Sequence, residues 1–253
     1  MEHTCKNCET VHIGNYCHQC GQIVINKRFT LKQVLGHAIT SLLNFDMGRI
    51  YTFLKVLWRP HVVVNDFISG ATRKYTNPVS FAVYLLVLFA IMTHFYKEGH
   101  IELGAEETVR QIGMPYNNLS KFVLKVYLDY INYFQLFQIP FLALFTRWIF
   151  KKYNYAEHFI LHCYTFSAIT IATGVVNFIA YLLIRDVMSD VYNLVEYLTL
   201  IAFFLYYAYV FRKLFRRSYI SSFFNAVLIL FLSLISISLF LGIVFSIWNV
   251  IMI

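Results

Sequence analysis

Two Cys-x-x-Cys pairs stand within sixteen residues of each other. They are Cys5-Lys6-Asn7-Cys8 and, after eight intervening residues, Cys17-His18-Gln19-Cys20-Gly21. Four thiolates at this spacing can complete a tetrahedral shell around one structural zinc ion. Iron in a rubredoxin-like site and a redox dithiol use similar pairs. His3, His12 and His18 are substitute ligands, but four cysteines already fill the shell. Gly21 suits the tight turn that aims backbone N–H groups at sulfur; Glu9 occupies the matching place in the first pair. A segment of about 25 residues cannot build a core of its own, so metal would hold it folded. The fifth cysteine, Cys163, lies in an apolar stretch and reads as a small hydrophobe.

A second chemical grouping is Tyr155-Ala156-Glu157-His158-Phe159-Ile160-Leu161-His162. On a helix His158 and His162 share a face, and Glu157 lies about 100° round from His158. Such a pair can hold part of a metal site, relay protons, or bind a lipid phosphate together with Lys151 and Lys152. It can equally be two interfacial histidines paired with Glu157. Glu196 falls five residues inside a predicted span, a costly place for a carboxylate, or else in the outer interface beside Asp190. Glu157, His158, His162 and Glu196 are therefore candidates for a functional polar site. Arg59, Arg73, Lys74, Lys151, Lys152, Arg212 and Arg216 are candidates for lipid headgroup contacts.

The elements that must position these groups are membrane elements. The 253 residues are 59% hydrophobic, 19% aromatic and only 13% charged. A soluble domain is about 45–50% apolar and about 25% charged. Apolar runs predict spans at 78–96, 133–150, 159–184, 191–211 and 222–252. The start of the chain is polar and lacks an apolar signal segment, so the first span is expected to direct insertion. Of the 21 Lys/Arg, sixteen lie before the first span, at the end of the second or just after it, or after the fourth; five lie in the alternate segments. This alternation predicts a cytoplasmic N-terminus and an external C-terminus, and accounts for the net charge of +8 without nucleic acid. Reduced cytoplasmic thiols favour metal over disulfides.

Residues 29–76 carry helical signals. Leu31, Val34, Leu35, Ala38, Ile39, Leu42 and Leu43 recur at the spacing of an amphipathic helix, with Thr30 as its N-cap. Further helices are expected over 49–58 and 61–69, the latter restarting at Pro60 and stopping at Gly70. Asn77 caps the first span, with Pro78 at its first turn. These helices are expected on the inner leaflet or against the bundle. Glu98, Glu102, Glu106 and Glu107 lie in the external segment 97–132, where helices are expected near Ala105 and over 119–133. Small and polar residues, among them Thr165, Ser167, Ala168 and Gly174, make the third span the natural centre of the bundle.

Phosphate-binding loops, nucleophile elbows, HExxH and dinucleotide fingerprints are absent from the sequence, so enzyme classes built on them lose support. The ordered set Cys-x-x-Cys, Cys-x-x-Cys-Gly-Gln, Arg28-x-Thr30, Arg59-Pro60, Gly70-x-x-Arg73-x-Tyr75-x-x-Pro78, then Glu157-His158 and His162, resembles an uncharacterised family of bacterial membrane proteins. That family carries an N-terminal zinc ribbon and is known as domain of unknown function 3667. The chain departs from its pattern at Glu9, where glycine is usual, and at Ala71-Thr72, where a lysine often precedes the arginine. The resemblance implies a zinc-binding, polytopic inner-membrane protein and carries no activity with it.

The expectation is an all-α polytopic membrane protein of about five transmembrane helices. A zinc ribbon over 1–25 and interfacial amphipathic helices over 26–77 precede a bundle over 78–253. Three functions fit: a non-enzymatic scaffold or regulator whose ribbon docks a cytosolic partner, a transporter or lipid-handling protein, and a membrane metalloenzyme centred on His158 and His162. Expected partners are the bilayer, anionic phospholipid headgroups and a cytosolic protein, with no nucleic acid.

Overall fold

The computed structural model describes residues 2–25, 28–42, 48–93, 135, 137–184 and 189–251. The expectations for segment 97–132 and its four glutamates lie outside the described residues.

The chain opens with two short antiparallel strands, β1 (Glu2–Thr4) and β2 (Val11–Ile13), with Thr4 opposite Val11. A single bridge pairs Tyr16 with Ile23. Three short helices follow: α1 (Leu31–Leu42), α2 (Gly48–Trp58) and α3 (Pro60–Ser69). A 3-10 turn over Thr72–Lys74 leads into α4, residues 78–93. The remaining helices are α5 (Phe137–Ile149), α6 (Tyr155–Ile184), α7 (Ser189–Phe215) and α8 (Tyr219–Ile251).

Local chemistry sets the helix ends. The Gln33 N–H lies 3.4 Å from Thr30 Oγ1 and the Gln33 side chain accepts from the Thr30 N–H at 3.1 Å, a reciprocal capping box on α1. Pro60 starts α3, and Gly70 ends it at φ 110°, a left-handed conformation that glycine adopts without steric cost. The Asn77 side chain accepts from the N–H groups of Val79 and Ser80, with Pro78 at the first turn of α4. An Asn154-x-x-Glu157 capping box starts α6 at Tyr155, a turn earlier than apolar content predicts. At its far end α7 runs past 211 to Phe215, with Arg212 and Lys213 favourably placed in its last turn.

Four helical stretches among the described residues are long and apolar enough to cross a bilayer: Thr72–Thr93, Tyr155–Leu183, Val191–Phe215 and Tyr219–Phe240. The remaining predicted span, the second at 133–150, is described as the shorter apolar helix α5. The set fits a multi-pass membrane protein of about five spans.

Helix α6 is the axis. It packs antiparallel to α7 through His158 on Phe215, His162 on Tyr207 and Phe166 on Phe203. Thr165, Ser167 and Ala168 are buried along it, as their small size predicts. At Gly174 an added Cβ would lie 2.8 Å from the Phe89 ring, so α4 approaches closely there. The 29-residue apolar stretch of α6 is about 43 Å long, against about 30 Å of hydrocarbon. The platform α1–α3 packs against α6. Tyr153 donates to Asn65 at 2.7 Å, Tyr164 to the Thr76 carbonyl at 2.5 Å, and Tyr206 to the Val56 carbonyl at 2.8 Å. Val56, Val63, Val64 and Phe67 are buried in the same core, with Phe67 stacked on Phe29.

Candidate functional site

The four predicted cysteines converge. Each offers one sulfur, and all four lie within 4.8 Å of one another. Sulfur separations are 3.5 Å for Cys5–Cys20, 3.6 Å for Cys8–Cys17 and 3.4 Å for Cys8–Cys20. A tetrahedral ion with metal–sulfur bonds of about 2.3 Å needs edges of about 3.8 Å, whereas a disulfide needs about 2.05 Å. The cluster therefore has the dimensions of a metal site, and its cysteines are free thiols.

The two knuckles share one backbone form. The Glu9 N–H donates to the Cys5 carbonyl at 3.0 Å, and the Gly21 N–H to the Cys17 carbonyl at 2.8 Å. Both residues are left-handed, at φ 62° and φ 66°. Glu9 thus takes up the turn that glycine makes in the second knuckle, at a steric cost of about 1 kcal/mol. Burial pushes the Cys5 thiol up to about 11, while the neighbouring Thr10 hydroxyl brings Cys8 down to about 6.

The ribbon is seated on the turn after α3. The Gln22 side chain is buried, donates to Thr72 Oγ1 at 2.9 Å, and accepts from the Arg73 N–H at 3.0 Å. The Arg73 guanidinium lies over Gly21, close enough that a Cβ there would sit 3.3 Å from it. Gly70 faces Ile25 and Lys6 at van der Waals distance. The Gly70-x-x-Arg73 motif is thus the surface on which the ribbon rests. No periodicity signals this seat, and Gln22 was not a sequence candidate.

A second tie follows at once. Arg28 grips Glu157 with two hydrogen bonds, Nε to Oε1 at 3.0 Å and Nη2 to Oε2 at 2.5 Å. Nη2 also reaches the Lys152 carbonyl at 3.2 Å. The Asn154 side chain donates to the Phe29 carbonyl at 3.0 Å, and its backbone N–H to Glu157 Oε2 at 2.8 Å. Glu157, only 2% exposed, is thereby both the cap of α6 and the anchor of the ribbon linker. The bidentate pair raises the Arg28 pKa further above its ordinary value.

The histidines turn to different partners. His158 Nε2 is 2.9 Å from the Phe150 carbonyl, and its Nδ1 has no partner among the described groups. His162 Nε2 is 2.6 Å from Thr146 Oγ1, and its Nδ1 is 3.3 Å from the Tyr207 hydroxyl. Both rings are fully buried. Among the described residues, Cys5, Cys8, Cys17 and Cys20 are the one group of three or more metal-ligating side chains. Glu196 is not brought to the histidines. It accepts from Tyr192 at 2.7 Å on its own helix, beside the Asn177–Thr199 contact and about 30 Å along α6 from Glu157.

The basic candidates divide. Arg73 covers the ribbon, Lys74 pairs with Asp66 at 3.0 Å, and Lys152 donates to the Leu214 carbonyl at the end of α7 at 2.7 Å. Arg212 lies over the Tyr219 ring at 4.0 Å. Arg59 and Arg216 are exposed, as is Lys151.

These features define a class: a helical protein with membrane-grade spans and a four-cysteine ribbon clamped to a platform of short helices. Residues 46–91 match the family model described as Protein of unknown function (DUF3667), which bears out the resemblance read from the motifs. The matched stretch runs over α2, α3, the Gly70–Pro78 motif and most of α4, the elements that carry the ribbon's seat. Neither a curated protein nor a solved structure matches the chain.

Proposed function

We propose that the protein is a non-enzymatic membrane scaffold or regulator, in which a zinc-loaded ribbon docks a cytosolic protein partner. The observation that carries this reading is the double clamp through Gln22 and Arg28, which holds the ribbon in one place against the bundle. A structural metal module needs no such fixing unless its outer face must be presented in register with the membrane. That face bears unusual apolar exposure for so small a unit: Val11 is 57%, Ile13 75% and Tyr16 64% exposed. Zinc is the metal that best suits four thiolates closing the coordination shell. The alternation of basic residues supports a cytoplasmic ribbon, and the family resemblance implies a bacterial inner membrane.

Photo-crosslinking in intact cells tests the reading. A crosslinker at Ile13 is expected to give a discrete protein adduct, lost in the Cys17→Ser/Cys20→Ser variant while the chain stays in the membrane. An adduct that survives loss of both cysteines, or no protein adduct at Ile13 or Tyr16, would refute it.

A further inference from the structure

The turn between α5 and α6 forms a cleft of about 770 Å³, lined by Arg28, Leu144, Phe145, Arg147, Trp148, Lys151, Tyr153 and Asn154. Its size lies within the range of sites for small ligands, about 300–1,000 Å³. Three cations line it from separate parts of the chain: Arg28 from the ribbon linker, Arg147 from the end of α5 and Lys151 from the turn. Among the described residues only Arg28 of the three has an acidic partner, and its Nη1 is left unused by that pair. The walls are apolar and aromatic, and they continue outward. Phe137, Leu144 and Trp148 recur along one side of α5 at 52%, 50% and 70% exposure. Exposed cations thus border an apolar track along the short apolar helix α5.

We propose that this cleft binds one anionic phospholipid. Its phosphate is held by Arg147, Lys151 and the free edge of Arg28, and an acyl chain lies along Leu144 and Trp148. Guanidinium groups suit phosphate oxygens bidentately, and Trp148 suits the headgroup boundary. A soluble anion would use the cations and leave the apolar track idle; a zwitterionic lipid would leave the excess positive charge unanswered. Because Arg28 is also clamped to Glu157, the bound lipid touches the segment that carries the ribbon. The inference rests on the cleft alone and is independent of the scaffold reading.

Native mass spectrometry of the full chain in detergent tests it, titrating short-chain phosphatidylglycerol, the matching phosphatidylcholine and inorganic phosphate. Wild type should retain one phosphatidylglycerol at least tenfold more tightly than phosphatidylcholine. Arg147→Gln/Lys151→Gln should weaken that binding roughly 30-fold. Lys213→Gln/Arg217→Gln, with the same change in net charge at two exposed positions at the end of α7, should leave it intact. Equal retention of the two lipids, or equal loss in both double variants, would overturn the site. Inorganic phosphate competing as strongly as the lipid would overturn the lipid assignment.

Discussion

Removing the Arg28 guanidinium should cost much more than removing the Glu157 charge. Arg28→Ala leaves a carboxylate only 2% exposed, with the Asn154 N–H at 2.8 Å as its remaining described donor. Breaking a buried pair from one side costs about 3–5 kcal/mol. The Arg28 side chain is 61% exposed, so solvent softens the loss to about 2–3 kcal/mol. Glu157→Gln keeps an acceptor for the α6 cap and releases Arg28 to water, at about 1 kcal/mol. The double variant should resemble Glu157→Gln alone, giving a coupling of about 2 kcal/mol. Hydrogen exchange on the detergent-solubilised protein reads the opening free energy at the Gln33 and Val34 amides of α1 and at Glu157 and His158. Equal, additive losses for the two single variants would show that the pair does not hold the linker, and the clamp argument would fail.

Glu9→Gly should stabilise the metal-loaded ribbon by about 1 kcal/mol, read as slower metal transfer to a competing chelator, because glycine relieves the left-handed turn at φ 62°. Gln22→Leu should release the ribbon from its seat at a cost of about 2 kcal/mol, since the Arg73 N–H and the Thr72 hydroxyl lose their partner; faster exchange confined to 2–25 and 70–76 checks it. His61 packs against Tyr209 with no partner for its Nδ1 among the described residues, and burial, then Lys213 and Arg59, hold its pKa below 6.5. The unfolded chain therefore binds this proton first, and the contribution of His61 to platform stability falls as pH drops below about 6.5. A His61→Gln variant should lose that part of the pH dependence in thermal-shift measurements between about pH 5 and 7.5.

What could be read in the sequence was what depends on neighbours along the chain. The CxxC spacing sets the metal cluster. Thr30, Pro60, Gly70, Asn77 and Pro78 act through hydrogen bonds and backbone angles within a few residues, and each marks the helix end expected of it. The burial of Thr165, Ser167 and Ala168 follows from small side chains in a long apolar run. The clamps could not be read, because Gln22 meets Thr72 and Arg28 meets Glu157 across 50 and 129 positions. One signal was available: Asn154-x-x-Glu157 is a capping box, and recognising it starts α6 at Tyr155 and explains the carboxylate beside two histidines. The i, i+4 spacing of His158 and His162 says that they share a face. It does not say that one turns to the Phe150 carbonyl and the other to Thr146 and Tyr207. Hydropathy left Glu196 either inside the span or at its outer interface; its carboxylate is exposed and taken up by Tyr192.

A single metal held by the ribbon, and none by the histidine pair, is the central expectation. Plasma mass spectrometry of the purified chain, with Cys17→Ser/Cys20→Ser and His158→Ala/His162→Ala beside it, measures this directly. The predicted result is one zinc per chain, absent from the cysteine variant and unchanged in the histidine variant. A metal-free wild type, or a second equivalent that disappears with the histidines, would contradict it.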